Sequence, residues 1–256
     1  MKIATWNVNS LRVRLGQVID WLRAVEPDVL AMQETKCKDE HFPADAFAEI
    51  GYRVEFSGEA GYNGVAIASR KEATGVATDI DGFDDHQRRV IAATIGELRV
   101  INLYVPNGQR VGSEKYEYKL RWLAALRDHL RIELERHGQL VVLGDFNVAP
   151  EDEDVHDPAA WEGKIMCSEP ARAAIRSLRQ LGLHDAFRLF EQPPQSFTWW
   201  DYRAGAFRRN LGLRIDLILV SEQLRQMCKS CTIDAAPRRN ERPSDHVPVI
   251  AEFAFG

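Results

Sequence analysis

Apolar and polar positions follow two rhythms along this chain, short apolar runs typical of strands and longer amphipathic stretches typical of helices. Eight short runs rich in Val, Ile and Leu predict strands: KIATWNV, PDVLAMQE, GVAIASR, VIAATI, LRVINLYVP, QLVVLGDFNV, LRIDLILVS and VPVIAEFAF. Helical spacing of apolar residues predicts helices over 11–25, roughly 114–136 and 169–181. Many strands with few helices indicate stacked sheets with helices outside, hence an α/β fold. With neither a repeat nor a linker, residues 1–256 are predicted to form one domain.

Composition narrows the class of protein. A hydrophobic content of 45% and a charged content of 28% are ordinary for a globular chain. The net charge of −5 argues against a protein that coats nucleic acid through charge alone, although RAGAFRRNLGLR leaves room for a local basic rim. The CKSC pair lacks the further ligands that a zinc site needs, so we expect reduced, structural thiols. Without a signal peptide or a bilayer-spanning segment, we expect a cytoplasmic protein with no membrane partner.

Polar residues stand at or near one end of six predicted strands, in TWNVN, MQET, LYVPNG, LGDFN, RID and SDH. Strand ends that converge at one edge of a sheet make a natural site on a rigid scaffold. Randomly placed polar groups would be distributed less consistently. We therefore predict one site assembled from distant parts of the chain.

Four carboxylates belong to these strand ends or the loop near the C-terminus: Glu34, Asp145, Asp216 and Asp245. Each one alone is more often a helix cap or a turn residue. Gathered together they would repel one another unless a cation lay between them. Oxygen ligands without a Cys or His cluster favour Mg²⁺ or Mn²⁺ over zinc.

Two amide pairs repeat one spacing. Asn7 and Asn9 are two residues apart and would face the same way on a strand, and Asp145 and Asn147 repeat that arrangement. An amide oxygen can bind a metal, and an amide NH₂ can donate to a phosphate oxygen. A turn-forming role is the simpler alternative for Asn7.

His246 lies beside a carboxylate in RPSDHVPV, where Pro243 and Pro248 disfavour helix and indicate a loop. A buried carboxylate such as Asp216 would orient the imidazole and hold it protonated. An imidazolium stabilises the charge that grows on phosphate oxygens in the transition state. Together with a hard cation, these groups predict metal-assisted hydrolysis of a phosphoester.

The motifs TWNVNSLR, QETK, YNGVAIASR, NLYVPNG, LGDFNVAP, FTWWDYR, NLGLRIDLILVS and RPSDHVPV span nearly the whole chain. In this order they closely resemble the exonuclease III family of abasic-site endonucleases, within the endonuclease/exonuclease/phosphatase superfamily. The resemblance implies a DNase I-like, four-layer α/β sandwich of two packed mixed β-sheets flanked by helices. It also implies a monomeric, Mg²⁺- or Mn²⁺-dependent DNA repair enzyme acting on double-stranded DNA with abasic sites or blocked 3′ ends. The implied activities are 3′→5′ exodeoxyribonuclease, abasic-site endonuclease and 3′-phosphatase or 3′-phosphodiesterase.

The resemblance also implies residue roles. Asp145 would orient or deprotonate water, and Tyr104 would contact the phosphate or act as a rival base. Asn147 would hold the phosphate, and Asp216 would pair with His246. The implied metal site is Glu34 helped by Asn7, with Asn9 or Asp245 as further candidates.

An apolar pocket for a flipped-out abasic sugar would involve Trp199, Leu213 and Ile215, whose alternative role is ordinary core packing. Strand alternation places Leu213 and Ile215 on the face opposite to Asp216, which leaves the relation between pocket and catalytic pair open. By the same resemblance, Arg110 and Arg203 would reach into the duplex.

Three further considerations remain open. Superfamily phosphatases and phosphodiesterases acting on inositol phosphates or phospholipid headgroups share the Asn, Glu, GDxN and SDH elements, but they lack FTWWDYR. A catalytically dead DNA-binding module would need a broken catalytic position, and the motifs contain none. The bulk of Met166, in a stretch where members of the resembling family vary, would narrow the site and favour removal of 3′ groups over internal cutting.

Overall fold

The computed structural model describes residues 1–255, and within them twelve strands form two six-stranded sheets. The strands are β1 (Lys2–Asn7), β2 (Val29–Gln33), β3 (Arg53–Ser57), β4 (Val65–Ser69), β5 (Ala73–Ala77), β6 (Val90–Ile95), β7 (Leu98–Tyr104), β8 (Leu140–Asp145), β9 (His184–Asp185), β10 (Asp216–Val220), β11 (Cys228–Ile233) and β12 (Val249–Phe253). The α-helices are α1 (Leu11–Val25), α2 (Ala44–Ala48), α3 (Glu114–Arg136), α4 (Pro158–Trp161), α5 (Glu169–Arg179) and α6 (Glu222–Met227). Single 3₁₀ turns lie at Asp39–His41, Asp152–Asp154, Ala186–Leu189, Arg203–Gly205 and Ala236–Arg239.

The predicted elements are confirmed, with small changes at their ends. Each of the eight predicted strands is present, and α1 and α3 have the predicted bounds. Helix α5 ends at Arg179, two residues before the predicted 181. Across residues 1–255, we find no helix with the length and apolar character needed to cross a bilayer.

Both sheets are mixed. The first has the order β11-β12-β1-β2-β4-β3 and the second β5-β6-β7-β8-β10-β9. In each sheet one central pair is parallel, β1 with β2 and β7 with β8, while the other neighbours are antiparallel. Within each parallel pair the two strands end side by side. Asn7 of β1 lies opposite Gln33 of β2, and Tyr104 of β7 lies opposite Asp145 of β8.

The sheets pack face to face and helices cover their outer faces. The core between the sheets contains apolar residues of both, including Ile3, Val29, Ile91, Val141 and Ile218. Helices α1 and α2 pack on the first sheet, and α3 and α5 pack on the second. These four layers confirm the sandwich of two mixed sheets that the family resemblance implied.

Gly144 brings β7 and β8 close together immediately before Asp145. Its φ of +142° lies outside the usual range of L side chains, and a Cβ there would lie 2.0 Å from the carbonyl oxygen of Leu103. The GD of LGDFN is therefore a backbone requirement as well as a chemical motif. Any larger residue at 144 would push Asp145 away from the end of β7.

All four cysteines carry free thiols, in line with the expected structural role. Cys228 and Cys231 lie on β11, and both pack against the core between the sheets. Burial raises the pKa of both thiols, which disfavours the reactive thiolate.

Candidate active site

Polar side chains from both sheets meet where the central strands end. The first sheet contributes Asn7 at the end of β1 and Glu34 directly after β2. The second contributes Tyr104 and Asp145 at the ends of β7 and β8, and Asp216 at the start of the antiparallel β10. Asp216 and Asp145 are direct partners in the register of β8 and β10. Convergence of strand ends, which the sequence predicted, thus brings these residues to one edge of the sandwich.

The loop before β12 carries His246 into the same place. Ser244 Oγ donates to the carbonyl oxygen of Asn7 at 2.7 Å and accepts from the backbone N–H of His246 at 3.2 Å. The indole Nε1 of Trp6 donates to the carbonyl oxygen of His246 at 3.2 Å. The loop that the two prolines indicated is therefore fastened to the end of β1, and its histidine has a defined position.

His246 pairs with a carboxylate on each side. Its Nδ1 lies 2.9 Å from Oδ2 of Asp216, and its Nε2 lies 3.7 Å from Oδ2 of Asp145. Burial alone would lower the pKa of His246, but the carboxylates of Asp216 and Asp145 outweigh it and raise the pKa to about 10. The imidazole is therefore protonated at neutral pH.

The pKa of Asp145 is also raised. Burial raises it to about 7, the positive His246 opposes the shift, and the negative charges of Asp216 and Glu34 add to it. Near neutral pH His246 therefore keeps its charge, while Asp145 can accept a proton. A pKa close to the operating pH suits a general base.

Asn7 binds the carboxylates together. Its Nδ2 donates to Oε1 of Glu34 and to Oδ2 of Asp145, both at 2.9 Å, and its Oδ1 accepts from the backbone N–H of Asn9. Lys36 Nζ lies 2.9 Å from Oε2 of Glu34. In this arrangement Asn7 offers a donor to the site, so its predicted role as a metal ligand would require its amide to rotate.

Asn9 and Asp245 bind each other at the rim of the site. Asn9 Nδ2 donates to Oδ1 of Asp245 at 2.8 Å, and Asn9 Oδ1 accepts from Lys36 at 2.6 Å. The second oxygen of Asp245 accepts from Nε1 of Trp199 at 3.0 Å. Asn9 lies beyond the end of β1 and has a φ of +41°, so the strand alternation that predicted its direction does not apply to it. Asn9 is thus linked to Glu34 through Lys36, and Asp245 is linked to Asn9 and Trp199.

Asn147 follows β8 of the second sheet as Asn9 follows β1 of the first, and each donates its backbone N–H to the side chain two residues earlier. Asn147 has a φ of +50°, its backbone N–H donates to Oδ1 of Asp145 at 2.8 Å, and its Nδ2 donates to the carbonyl oxygen of Val105 at 3.0 Å. Its Oδ1 accepts from Nδ2 of Asn107 at 3.1 Å. The amide therefore lies beside Asp145 through a turn, where alternation along a strand had been expected.

Tyr104 stands under Arg89, whose guanidinium lies 4.8 Å from the centre of the ring. Burial, together with the carboxylates of Glu34 and Asp145, raises the pKa of Tyr104 well above its ordinary value. The phenol therefore keeps its proton near neutral pH and can donate a hydrogen bond, which disfavours the alternative of a tyrosine base.

The donor set suits a hard divalent cation. Ligand atoms of Glu34, Asp145 and His246 lie within 4.8 Å of one another. His246 is protonated and held by Asp216, so the oxygens of Glu34 and Asp145 are the available donors. Around them lie the carboxylates of Asp216 and Asp245, while Lys36 contacts Glu34 and His246 lies between Asp216 and Asp145.

Comparisons with known proteins agree with this geometry. Residues 4–246 match the sequence profile of the Endonuclease/Exonuclease/phosphatase family. The chain belongs to this family. It is 36% identical to exodeoxyribonuclease III of Haemophilus influenzae, over 99% of this chain and 100% of that one. Two solved structures match over 100% of both chains: the 3′ phosphatase NExo from Neisseria bound to a product DNA hairpin (48% identity, TM-score 0.98) and an AP endonuclease from Archaeoglobus fulgidus (44% identity, TM-score 0.96).

In this member of the Endonuclease/Exonuclease/phosphatase family, the residues predicted to form a sugar pocket make one apolar cluster. Trp199, Leu213, Ile215 and Met166 belong to it, and Trp199 pairs with Leu213 through backbone bonds. Leu213 and Ile215 are 0% exposed, while Trp199 is partly exposed. As placed, the two aliphatic residues support Trp199 from beneath. Both precede β10, and Leu213 forms isolated antiparallel bridges with Trp199 and Val155.

The two predicted duplex-contacting arginines are both exposed, but only one is paired in the geometry described here. Arg110 follows the NLYVPNG strand end, and Arg203 is the last residue of FTWWDYR, at the start of the 3₁₀ turn Arg203–Gly205. The guanidinium of Arg203 lies 2.5 Å from Oδ2 of Asp201. The sequence stretch 203–214 contains no acid, yet its first arginine is partly neutralised by the residue two positions before it.

Sequence reasoning did not single out several supports of the site. Thr198 Oγ1 accepts from the backbone N–H groups of Ile215 and Asp216, at 3.0 and 3.1 Å, and so fixes the start of β10. Lys36 was present in the QETK motif, but no local pattern reveals that it bridges Glu34 and Asn9. Lys119 did carry a signal, because it occupies the buried face of the amphipathic α3.

Proposed function

We propose that this protein is a divalent-metal-dependent DNA repair phosphodiesterase. It would act on double-stranded DNA as a 3′→5′ exodeoxyribonuclease, an abasic-site endonuclease and a 3′-phosphatase or 3′-phosphodiesterase. The observation that carries the proposal is the row Asp216–His246–Asp145 beside Glu34, in a chain whose relatives include an exodeoxyribonuclease III, a 3′ phosphatase and an AP endonuclease. A cytoplasmic, monomeric enzyme remains our prediction.

The residues divide the work according to their protonation. Asp145 takes a proton from the attacking water, for which a pKa of about 7 is well matched. The imidazolium of His246 faces the phosphate and stabilises the charge that develops on its oxygens. The neutral phenol of Tyr104 donates to one of the remaining phosphate oxygens. The Nδ2 of Asn147, which donates to Val105 and, at 3.3 Å, to Asp145, would donate to another phosphate oxygen by exchanging its bond to Asp145. Asp216 keeps His246 charged and oriented.

A cation completes the electrostatics. Glu34 would hold Mg²⁺ or Mn²⁺, because hard cations of this kind prefer oxygen ligands, and Asp145 stays outside the ligand set so that it can accept the proton. When bound, the ion would neutralise charge on the phosphate and the leaving oxygen. Hydrogen bonds hold the carboxylates in place through Asn7, Asn9, Asp245 and Lys36. The side-chain oxygen of Asn7 could bind the ion only if its amide rotates.

Glu34→Ala is expected to raise the metal concentration needed for half-maximal activity by at least about tenfold, because it removes an oxygen ligand from the site. Activity on a 3′-phosphate duplex is measured against a Mg²⁺ and then a Mn²⁺ titration. The matched control is Glu135→Ala, an exposed residue of α3 far from the site. An unchanged half-maximal concentration in Glu34→Ala would remove Glu34 from the set of ligands.

One assay tests the proposed substrate class. A labelled duplex carrying a tetrahydrofuran abasic analogue, and a second duplex with a 3′-phosphate, are incubated with metal and with EDTA. Internal cuts, end digestion and phosphate loss are scored on the same gel, and all three are expected only with metal. Inositol phosphates and sphingomyelin serve as competing substrates. Turnover of these alone would show a phosphoesterase of a different substrate class.

Met166→Gly is expected to raise the ratio of abasic-site cutting to 3′-end digestion. Met166 packs in the cluster that supports Trp199 and is only 8% exposed, so removing its side chain enlarges the space beside the predicted sugar pocket. Initial rates on the abasic duplex and on a blunt duplex give the ratio. Ala171→Gly, a buried change in the neighbouring helix α5, is the control for a general loosening. An equal ratio in wild type and Met166→Gly would exclude this role of Met166.

A further inference from the structure

Lys119 lies in an unusual environment for a lysine. It stands between Tyr116 and Trp122 on the buried face of α3, and its side chain is 0% exposed. Burial lowers the pKa of Lys119 to about 7, against the attraction of the Asp145 carboxylate. A Leu or Met would satisfy the packing of this helix face without the cost of burying an ammonium group. The amine therefore calls for an explanation beyond packing.

The ammonium group closes a ring of hydrogen bonds behind the site. Its Nζ donates to the carbonyl oxygen of Asn147 at 2.8 Å and to that of Asn107 at 3.2 Å. The side chains of the two asparagines are themselves joined, Asn107 Nδ2 to Asn147 Oδ1 at 3.1 Å. Lys119 thus ties the loop after β7 to the loop after β8.

The ring supports a left-handed backbone conformation at Asn147. Asn147 has a φ of +50°, which a non-glycine residue keeps only when its surroundings determine it. A second observation points the same way: Gly108 has a φ of +87°, and a Cβ there would lie 3.1 Å from Cδ of Lys119. The glycine of LYVPNG leaves room for the lysine at the point where it reaches both carbonyls.

We propose that Lys119 is a positioning residue, which holds Asn147 in the orientation that meets the phosphate. It acts through Asn147 and does not touch the substrate, since it has no exposed surface. The inference rests on the proposed function, because it concerns the geometry of the same phosphate site. A positioning role of Lys119 differs from a purely stabilising one in one respect. Removing the amine must change turnover even when the protein is fully folded.

Lys119→Met is expected to lower kcat on the 3′-phosphate duplex by about 10- to 100-fold, with KM changed by no more than about threefold. Single-turnover rates are measured well below the melting temperature. Leu126→Ala is the matched control: it removes a buried side chain from the same face of α3, so it lowers the melting temperature but leaves kcat in place. If Lys119→Met does not fold, Lys119→Gln, which keeps a donor, replaces it and is expected to show a smaller loss of kcat.

A double-mutant cycle with Asn147→Ala makes the test specific. If Lys119 works through Asn147, adding Lys119→Met to Asn147→Ala should lower kcat by less than about twofold more. Independent, multiplicative effects would overturn the inference, and so would an unchanged kcat in the single variant. A wild-type protein inactive on every DNA substrate would instead refute the proposed function, and the inference with it.

Discussion

Asp145→Asn is expected to lower kcat on an abasic duplex by about 10²- to 10⁴-fold while the Kd for the same DNA stays within about threefold. Asparagine has nearly the shape of aspartate, and its Oδ1 can still accept from the backbone N–H of Asn147. It cannot accept the proton of the attacking water. Asp145 is 1% exposed, so its direct contribution to DNA affinity should be small.

The control for Asp145→Asn is the same Asp→Asn substitution at an exposed position away from the site. Asp128→Asn fits, because Asp128 is exposed on the outer helix α3 and pairs only with its neighbour Arg127. Thermal melts of both variants establish that they are folded, and binding is measured with EDTA present so that the substrate survives. A rate for Asp145→Asn close to that of wild type would exclude Asp145 as the base and leave the mechanism without its proton acceptor.

Strand ends were the most informative part of the sequence. Apolar runs such as QLVVLGDFNV predict both a strand and the point where it stops, and parallel neighbours bring those points together. For this reason the sequence alone predicts Glu34, Tyr104 and Asp145 at one edge of the sandwich. Predicting the site required the polar residues at the strand ends but not the order of the strands in the sheets.

Where the chain leaves regular structure, the same reasoning lost accuracy. Asn9 and Asn147 both have positive φ values, and each donates its backbone N–H to the side chain two positions earlier. Alternation along a strand gave the neighbourhood of these amides but not their hydrogen bonds. Two further contacts depend on loops whose paths no local sequence pattern determines. They are the ion pair of Lys36 with Glu34 and the hydrogen bond from the backbone N–H of Asp216 to Thr198.

Four strands were not predicted, for identifiable reasons. Strand β5 is an exposed edge strand, β9 has two residues, and β3 has five residues of which only two are apolar. Strand β11 (CKSCTI) is largely polar, and only one of its six residues is buried. All four lie at or next to a sheet edge, where fewer neighbours impose an apolar sequence.

Arg214→Met is expected to reduce the free energy of unfolding by about 3 kcal/mol or more, because it leaves two buried carboxylates without their shared cation. The arginine is 1% exposed, with Nε 2.7 Å from Asp154 and Nη2 2.8 Å from Asp185. Arg188 also contacts Asp154, so Asp185 suffers the larger loss. Urea unfolding at neutral pH measures the change.

Two comparisons separate this effect from a general loss of charge. Arg225→Met removes an exposed ion pair with Glu222 and should leave stability nearly unchanged. Adding Asp185→Asn to Arg214→Met should restore part of the lost stability, since it removes the uncompensated charge. Below the melting temperature, kcat should stay close to wild type, because Thr198 holds Asp216 independently of Arg214. A folded Arg214→Met protein with an impaired kcat would instead place this buried ion network among the supports of the catalytic pair.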